Sequence, residues 1–192
     1  MSNIIKNNIH YEAVSGRLKG SDIVKIERKL KDISSIFENQ EALKSMDLEQ
    51  VAYEVESYLP VPEGTEGGLF FGTSYLYPGK VGNEYFMTKG HFHSKIDTAE
   101  FYWCLTGEGI LLLMDDEGNV TAEKMQKGSI HYIPGKIAHR IANTGSELLT
   151  IGACWPSDAG HDYQTIAETG FSARVLEVDG KVEIRKVEIR KS

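Results

Sequence analysis

The chain lacks the features that would send it to a membrane, a secretory route or a nucleic acid. No apolar run, Ile110–Met114 included, exceeds five residues, far below the ~20 needed for a helix to span a bilayer. Two cysteines, Cys104 and Cys154, cannot build a disulfide framework. No block of Lys and Arg occurs, and 21 basic against 28 acidic residues leave a formal charge of −7. Sequence-independent nucleic-acid binding needs the opposite, a positive footprint. Residues Met1 to His10 are polar and Asn-rich, with neither the apolar segment of a signal peptide nor the Arg/Ser bias of a transit peptide. What is present is 192 residues with 41% apolar content, ample for one packed domain. The expectation is a globular, cytoplasmic protein with neither nucleic acid nor membrane as partner.

Helical periodicity is also scarce. Between Asp22 and Met46, Ile23, Ile26, Leu30 and Ile33 sit at helical spacing, but Ser34-Ser35 breaks the pattern. This half reads as irregular strand plus a short helix capped by Asn39. From Val51 a strand with Val51, Tyr53 and Val55 on one face leads into a Gly/Pro loop ending at Gly68. Turn clusters then recur at Tyr77-Pro78-Gly79, Thr106–Gly109, Asp115–Asn119, Lys127-Gly128, Pro134-Gly135 and Asn143–Gly145. They bound short runs rich in Ile, Leu, Val, Tyr and Trp, starting near 100, 110, 120, 129, 137 and 147. Intervals of about 8–12 residues between such strands predict an all-β sandwich or barrel. The architecture expected is an antiparallel jelly roll with one or two short N-terminal helices. An extension over 1–50 precedes a barrel core of about 51–158, and a C-terminal loop and hairpin follow over 159–192, all in a single domain. Asp179-Gly180 marks that hairpin, and the repeated Lys-Val-Glu-Ile-Arg unit at 181–185 and 186–190 reads as an extended or frayed tail.

The chemistry concentrates in Thr88-Lys89-Gly90-His91-Phe92-His93 and Glu100. In a strand, residues i and i+2 point to the same face, so the two imidazoles can converge on one ion. Glu100 opens the next strand, and His139 lies on a later one with Asn143 four residues on. Imidazole plus carboxylate around a divalent ion, with open coordination positions, suits non-haem iron, manganese, nickel or zinc catalysis. A lone His-x-His pair is commonly a half-buried polar pair; here Gly128, Pro134, His139 and Asn143 add a second motif. Cys104 shares the face of Glu100 and is expected to be a small buried apolar residue. His10 and His131 fall outside these motifs and receive no role.

Together, His91-x-His93, Glu100 and Gly107, with Gly128…Pro134…His139-x3-Asn143, resemble the two motifs of the cupin superfamily. Six residues separate His93 from Glu100 where most cupins have three or four, a longer gap that resembles the cupin-type glucose-6-phosphate isomerases. Gly135 directly follows Pro134, one position early for the general motif. Leu76–Gly82, Thr88–His93 and the specific Asp158-Ala-Gly-His-Asp-Tyr163 segment extend the likeness over roughly residues 50–172. The resemblance implies metal ligands at His91, His93, Glu100 and His139, holding one divalent ion per subunit: Fe2+ first, with Mn2+, Ni2+ or Zn2+ as alternatives. It implies a sugar-phosphate pocket at Tyr53, Thr73, Ser74, Thr88, Gly90, Tyr102, His161 and Tyr163. Ser74 replaces a threonine and keeps the hydroxyl. Trp155 replaces a tyrosine, exchanging a group that donates and accepts for an indole that only donates.

The implied activity is interconversion of glucose 6-phosphate and fructose 6-phosphate, in glycolysis and gluconeogenesis. Glu100 is the candidate base for an enediol route and His161 a candidate for ring opening; a metal-assisted hydride shift is the other route. The −7 chain must offset a dianionic substrate locally, through Lys89, amides near Gly90 and the hydroxyls of Thr73, Ser74 and Thr88. Phe101, Trp103 and Leu105 alternate to the opposite face and are expected to lie under another sheet or a second subunit, hence a homodimer. An Fe(II) oxygenase on the same barrel and a non-catalytic sugar-binding cupin are the rival readings, and mannose 6-phosphate is a further candidate substrate.

Overall fold

Alternation between inward and outward side chains builds most of the chain into antiparallel strands. The computed structural model describes residues 4–188. In chain order the first strands are β1 (His10–Tyr11), β2 (Leu18–Lys19), β3 (Ile23–Lys29), β4 (Val51–Tyr58) and β5 (Leu69–Leu76). The middle of the chain gives β6 (Lys80–Val81), β7 (Glu84–Tyr85), β8 (Glu100–Thr106), β9 (Glu108–Met114) and β10 (Val120–Gln126). There follow β11 (Ile130–Ile133), β12 (Ala138–Asn143), β13 (Leu149–Pro156), β14 (Ala173–Val178) and β15 (Lys181–Lys186). Strand starts at 100, 108, 120, 130, 138 and 149 match the spacing of the turn clusters.

The strands form two facing walls. One is a six-stranded sheet in the order β11-β8-β13-β5-β4-β3; the other is a three-stranded sheet, β10-β9-β12. Bridges Met87↔Ala142 and His91↔His139 lengthen the smaller wall with the 87–91 segment. A third sheet, β15-β14-β7-β6, closes one end. This is the jelly roll expected from the turn spacing. Phe86, Leu111, Ile141 and Ile151 are buried between the walls.

The N-terminal stretch resolves into β3, then helix α1 (Leu30–Ile33), a 3₁₀ turn at Ser34–Ile36 and helix α2 (Gln40–Lys44). The helical spacing of Ile23 and Ile26 is coincidental, because both residues lie in a strand that pairs with β4. Asn39 caps α2 as expected: its side chain accepts the Ala42 amide at 2.9 Å. Asp179 and Gly180 adopt φ of 49° and 71° and turn β14 into β15. The first Lys-Val-Glu-Ile-Arg copy is therefore a paired strand and not a frayed tail. The second copy runs beyond the described residues.

The outer face of the large sheet is covered only in part, and by this chain itself. Trp103 packs over Gly152, where a Cβ would approach its ring to 2.1 Å, and beside Phe71 at 5.4 Å. The segment between β1 and β2 lies over Leu105, since a Cβ at Gly16 would sit 3.3 Å from it. Phe101 stays exposed. Cys104 is buried as expected, and burial pushes its thiol up to about 11.

Glu56 ties the N-terminal segment to the sheet. It points outward from β4, and its buried carboxylate accepts from the Leu18 amide, Lys25 Nζ and Arg17 Nη1 at 2.8–3.1 Å and from Tyr75 Oη at 3.0 Å. Burial alone pushes the carboxyl up, but these donors outweigh it and hold it below the usual carboxylate range. A depressed acid adds stability that is fully present above its unfolded pKa and lost as pH falls through the native value. Glu56→Gln should therefore cost about 1–3 kcal/mol near neutral pH. In urea unfolding, that deficit should shrink at pH 3.5; an equal deficit at both pH values would contradict the ionised network.

Candidate functional site

The histidines reach one point because separate strands are bridged there. His91 and His139 face each other across paired backbone hydrogen bonds of 3.3 and 3.1 Å. Their rings are 4.3 Å apart between centroids, and His93, two residues on, brings its ring to 5.4 Å from His139. Glu100, first residue of β8, presents Oε2 to His93 Nε2 at 2.9 Å and to His139 Nε2 at 3.6 Å. One ligand atom from each of His91, His93, Glu100 and His139 lies within 4.8 Å of all the others.

The donor set fits a cation. His91 Nε2 and both ring nitrogens of His139 are buried without a hydrogen-bond partner among the described residues. Each such group costs about 1–3 kcal/mol if left unsatisfied. Burial, with repulsion from neighbouring imidazoles, holds His91 well below the ordinary imidazole value. Burial likewise lowers His139 to about 4 despite the pull of Glu100. Both rings are neutral near pH 7, the form that ligates a metal. Burial also opposes charge on His93, but the Glu100 hydrogen bond and charge outweigh it and raise its pKa. His93 Nδ1 meets the Thr98 carbonyl at 2.8 Å, which fixes the ring and leaves Nε2 aimed at the cluster.

The cluster opens into a cavity of about 290 Å³ between the walls. Tyr53, Ser74, Thr88, Gly90, Tyr102, Trp155, His161 and Tyr163 all line it, with His91, Glu100 and His139 at its inner end. His93 lies behind this lining. Trp155 reaches across the floor, where a Cβ on Gly72 would come within 2.9 Å of the indole. His161 follows a loop locked to the His91–His93 segment by the Phe92↔Asp162 bridge. Its ring stacks on Tyr163 at 5.7 Å with planes 6° apart. Asp162 caps helix α3 (Tyr163–Thr169) and so sets where Tyr163 begins. Burial raises Tyr102 well above the ordinary phenol value, with Glu100 adding to it; burial also lifts Tyr53 to about 12. Burial raises Tyr163 as well. All three phenols keep their protons at neutral pH.

Thr73 differs from expectation. It borders the cavity, but Ser74 pairs with Val55 while Thr73 pairs with the outward-facing Glu56. Strand alternation therefore turns the Thr73 side chain away, and its methyl lies under Gly16.

Two arginines had no motif to announce them. Arg140, next to His139, is buried, stacks over Phe171 at 4.8 Å, and donates through Nε and Nη2 to the Lys89 carbonyl. Because the peptide is planar and trans, that anchor turns the Gly90 N–H the opposite way. Gly90 has φ 76°, and a Cβ there would press to 3.1 Å on Arg140. Arg28 also lines the cavity. Its strand sat in the stretch whose periodicity was ambiguous, and only the pairing of β3 with β4 reveals its direction.

A jelly roll that gathers three histidines and a glutamate at the inner end of a cavity is a cupin-type barrel with a candidate metal centre. The sequence model of the family described as Glucose-6-phosphate isomerase (GPI) matches residues 27–190. A glucose-6-phosphate isomerase of Thermococcus litoralis is 50% identical over 160 residues, 82% of this chain and 83% of that one. One from Pyrococcus horikoshii is 44% identical over 170 residues, 88% and 89% of the two chains. Among solved structures, oxalate decarboxylase from Bacillus subtilis shares 18% identity and covers 62% of this chain and 29% of that one, with a TM-score of 0.47, too loose a likeness to bear on chemistry. The chain belongs to the glucose-6-phosphate isomerase family.

A divalent ion bound by the four side chains should stabilise the fold by about 2.7 kcal/mol at a concentration of 100 times its Kd. Thermal unfolding of metal-stripped protein with Fe2+ (anaerobically), Mn2+, Ni2+ or Zn2+ should show a rise that chelator reverses and His139→Ala abolishes. A melting temperature indifferent to every ion would remove the metal site.

Proposed function

We propose that this chain is a metal-dependent aldose–ketose isomerase that interconverts glucose 6-phosphate and fructose 6-phosphate, acting in the cytoplasm in glycolysis and gluconeogenesis. The observation that carries this reading is the union of the His91, His93, Glu100 and His139 cluster with a cavity into which hydroxyls, phenols and imidazoles project, in a chain of that family. Those four residues would hold one divalent ion, Fe2+ first among Mn2+, Ni2+ and Zn2+. When bound, such an ion is a Lewis acid that stabilises negative charge on the substrate carbonyl oxygen.

The side chains divide the remaining work. In the enediol route, the Glu100 carboxylate takes the proton from C2 of the aldose and returns it to C1, while the proton of the C2 hydroxyl passes to the C1 oxygen. In the hydride route hydrogen passes between the carbons directly, and Glu100 serves in binding alone. Tyr102 borders Glu100 and, as a neutral phenol, donates to an oxygen beside the reacting carbons without adding negative charge. Burial keeps the His161 ring neutral, so it can move a proton between ring oxygen and C1 hydroxyl when the sugar opens. The Trp155 indole offers a flat face to the sugar. Thr88 Oγ1 already accepts the Ile141 amide at 3.1 Å, which leaves its hydroxyl hydrogen to donate. Tyr53, Ser74, Tyr163 and the Gly90 N–H complete a ring of donors around the sugar and phosphate oxygens.

The outer face of the large sheet suits a second copy of the chain. Phe101, Ile130 and Tyr132 are 51, 72 and 54% exposed on adjoining strands, and clustered apolar exposure of this kind marks an association surface.

A coupled assay with fructose 6-phosphate should show isomerisation that stops on chelation and returns with a divalent ion. Glu100→Gln with metal retained should lower kcat by about 10²–10⁴-fold. An unchanged rate would remove Glu100 as the base; no isomerisation with any ion would leave a sugar-binding protein, and oxygen uptake during turnover an oxygenase. Light scattering at micromolar concentration should give the mass of a dimer; a monomer would remove the association.

A further inference from the structure

The cavity has to bind a phosphate dianion in a chain of charge −7. Glu100 at its inner end adds another negative charge. Among the described residues that line it, the only cations are Arg28 and Lys89. We propose that Arg28 is the residue that reads the phosphate, so that the guanidinium makes the site select a phosphorylated sugar over a neutral one. This rests on the reading of the cavity as a sugar-phosphate site.

Register aims the side chain. Ile26 pairs with Val55 and Arg28 with Tyr53, whereas Lys25 pairs with Glu56. Tyr53 and Val55 line the cavity, and Lys25 reaches the outward Glu56 at 2.8 Å. Side chains on one strand alternate, so Arg28 shares the cavity face and Lys25 the outer one. Directly after Arg28 the ladder slips, with Lys29 opposite Val51, and Lys29 turns away to Glu49 at 3.0 Å. Irregularities of this kind end pairing and re-aim side chains beside sites.

The chemistry of its surroundings asks for an anion. Arg17, Arg174 and Arg185 each contact a carboxylate, and Arg140 is held by the Lys89 carbonyl. Arg28 is half-buried and has no carboxylate partner among the described residues. A guanidinium withdrawn from water without an anion is costly, and its fork of donors fits phosphate in two parallel hydrogen bonds. Its charge also reaches the Tyr53 and Tyr163 hydroxyls, two of the donors that line the cavity.

Its position is apart from the reacting end of the cavity. In the strand order β11-β8-β13-β5-β4-β3, Arg28 sits on the last strand and Glu100 on the second. The reacting carbons, C1 and C2, belong beside Glu100. The phosphate hangs from C6 at the other end of the sugar, so the curved sheet offers its cation on the wall that C6 faces.

The test uses glucitol 6-phosphate and inorganic phosphate as non-reacting probes, titrated calorimetrically into metal-loaded protein. Arg28→Gln should weaken both by about 10- to 100-fold, the effect of losing a charge-assisted pair. It should raise KM for fructose 6-phosphate far more than it lowers kcat. Arg28→Lys should recover part of the affinity, and wild-type binding should depend on ionic strength more steeply than that of Arg28→Gln. A folded Arg28→Gln that keeps its metal-induced thermal shift and binds both probes as wild type does would overturn the proposal. So would losses in Arg28→Lys equal to those in Arg28→Gln, accompanied by a lost metal shift, since that pattern belongs to packing. Neither titration needs turnover, so Arg28-dependent phosphate binding in a chain that fails to isomerise would sink the isomerase reading and leave the subsite standing.

Discussion

The structure turns on burying three imidazoles and a carboxylate against one another while leaving ring nitrogens without protein partners. Such a cluster would spread apart if its bearers were free to move. They are not. The His91 and His139 backbones are bonded to each other, the His93 ring is held by the Thr98 carbonyl, and Glu100 is anchored in β8. The sheets fix the donors first, and lone pairs remain over for a ligand. Arg140 reinforces this from behind β12: its hold on Lys89 secures the peptide leading into Gly90 and His91. Two neighbours on one strand thus serve opposite faces, His139 toward the cluster and Arg140 toward the backbone that carries the other imidazoles.

The cavity is electrically graded as a result. At the inner end, burial strips charge from His91 and His139, and the only formal charge lining that end belongs to Glu100. Along the walls, three phenols keep their protons because burial makes the phenolate too costly. Arg28 and Lys89 supply the positive charge. An acidic protein can therefore present a surface of donors to an anion, because net charge sums over the whole surface while binding responds to what lies within about one Debye length, ~10 Å.

Much of this was legible in the sequence because strands encode direction in a period of two. His91 and His93 had to share a face, and the turn clusters around them predicted the barrel. Tyr102 fell where its alternation with Glu100 put it, whereas Trp155 came from the family resemblance alone. The same rule was available for Thr73, but it works only once the neighbouring register is known: Thr73 and Ser74 are adjacent, and one of them must turn away. Arg28 was hidden for a related reason. Its strand carries Ile23 and Ile26 at a helix-like interval, and no local pattern says that it pairs with Tyr53. Long-range pairing is the information a single sequence withholds.

The two departures from the general cupin pattern prove to be one structural event. The longer run between His93 and Glu100 carries the chain out through residues 94–99, and this loop lands on the turn before β12. Lys136 N–H donates to the Ile96 carbonyl at 2.6 Å, and a Cβ on Gly135 would come within 2.6 Å of the Asp97 backbone. A glycine directly after Pro134 is therefore the residue that lets the longer loop close on the turn. The left-handed position that the general motif gives to glycine passes to Lys136, with φ of 67°. That conformation costs a side-chain-bearing residue about 1–2 kcal/mol. The displacement is tolerated because the loop it admits carries Thr98, whose carbonyl orients the His93 ring. Strain in a surface turn is thus exchanged for the aim of a ligand side chain.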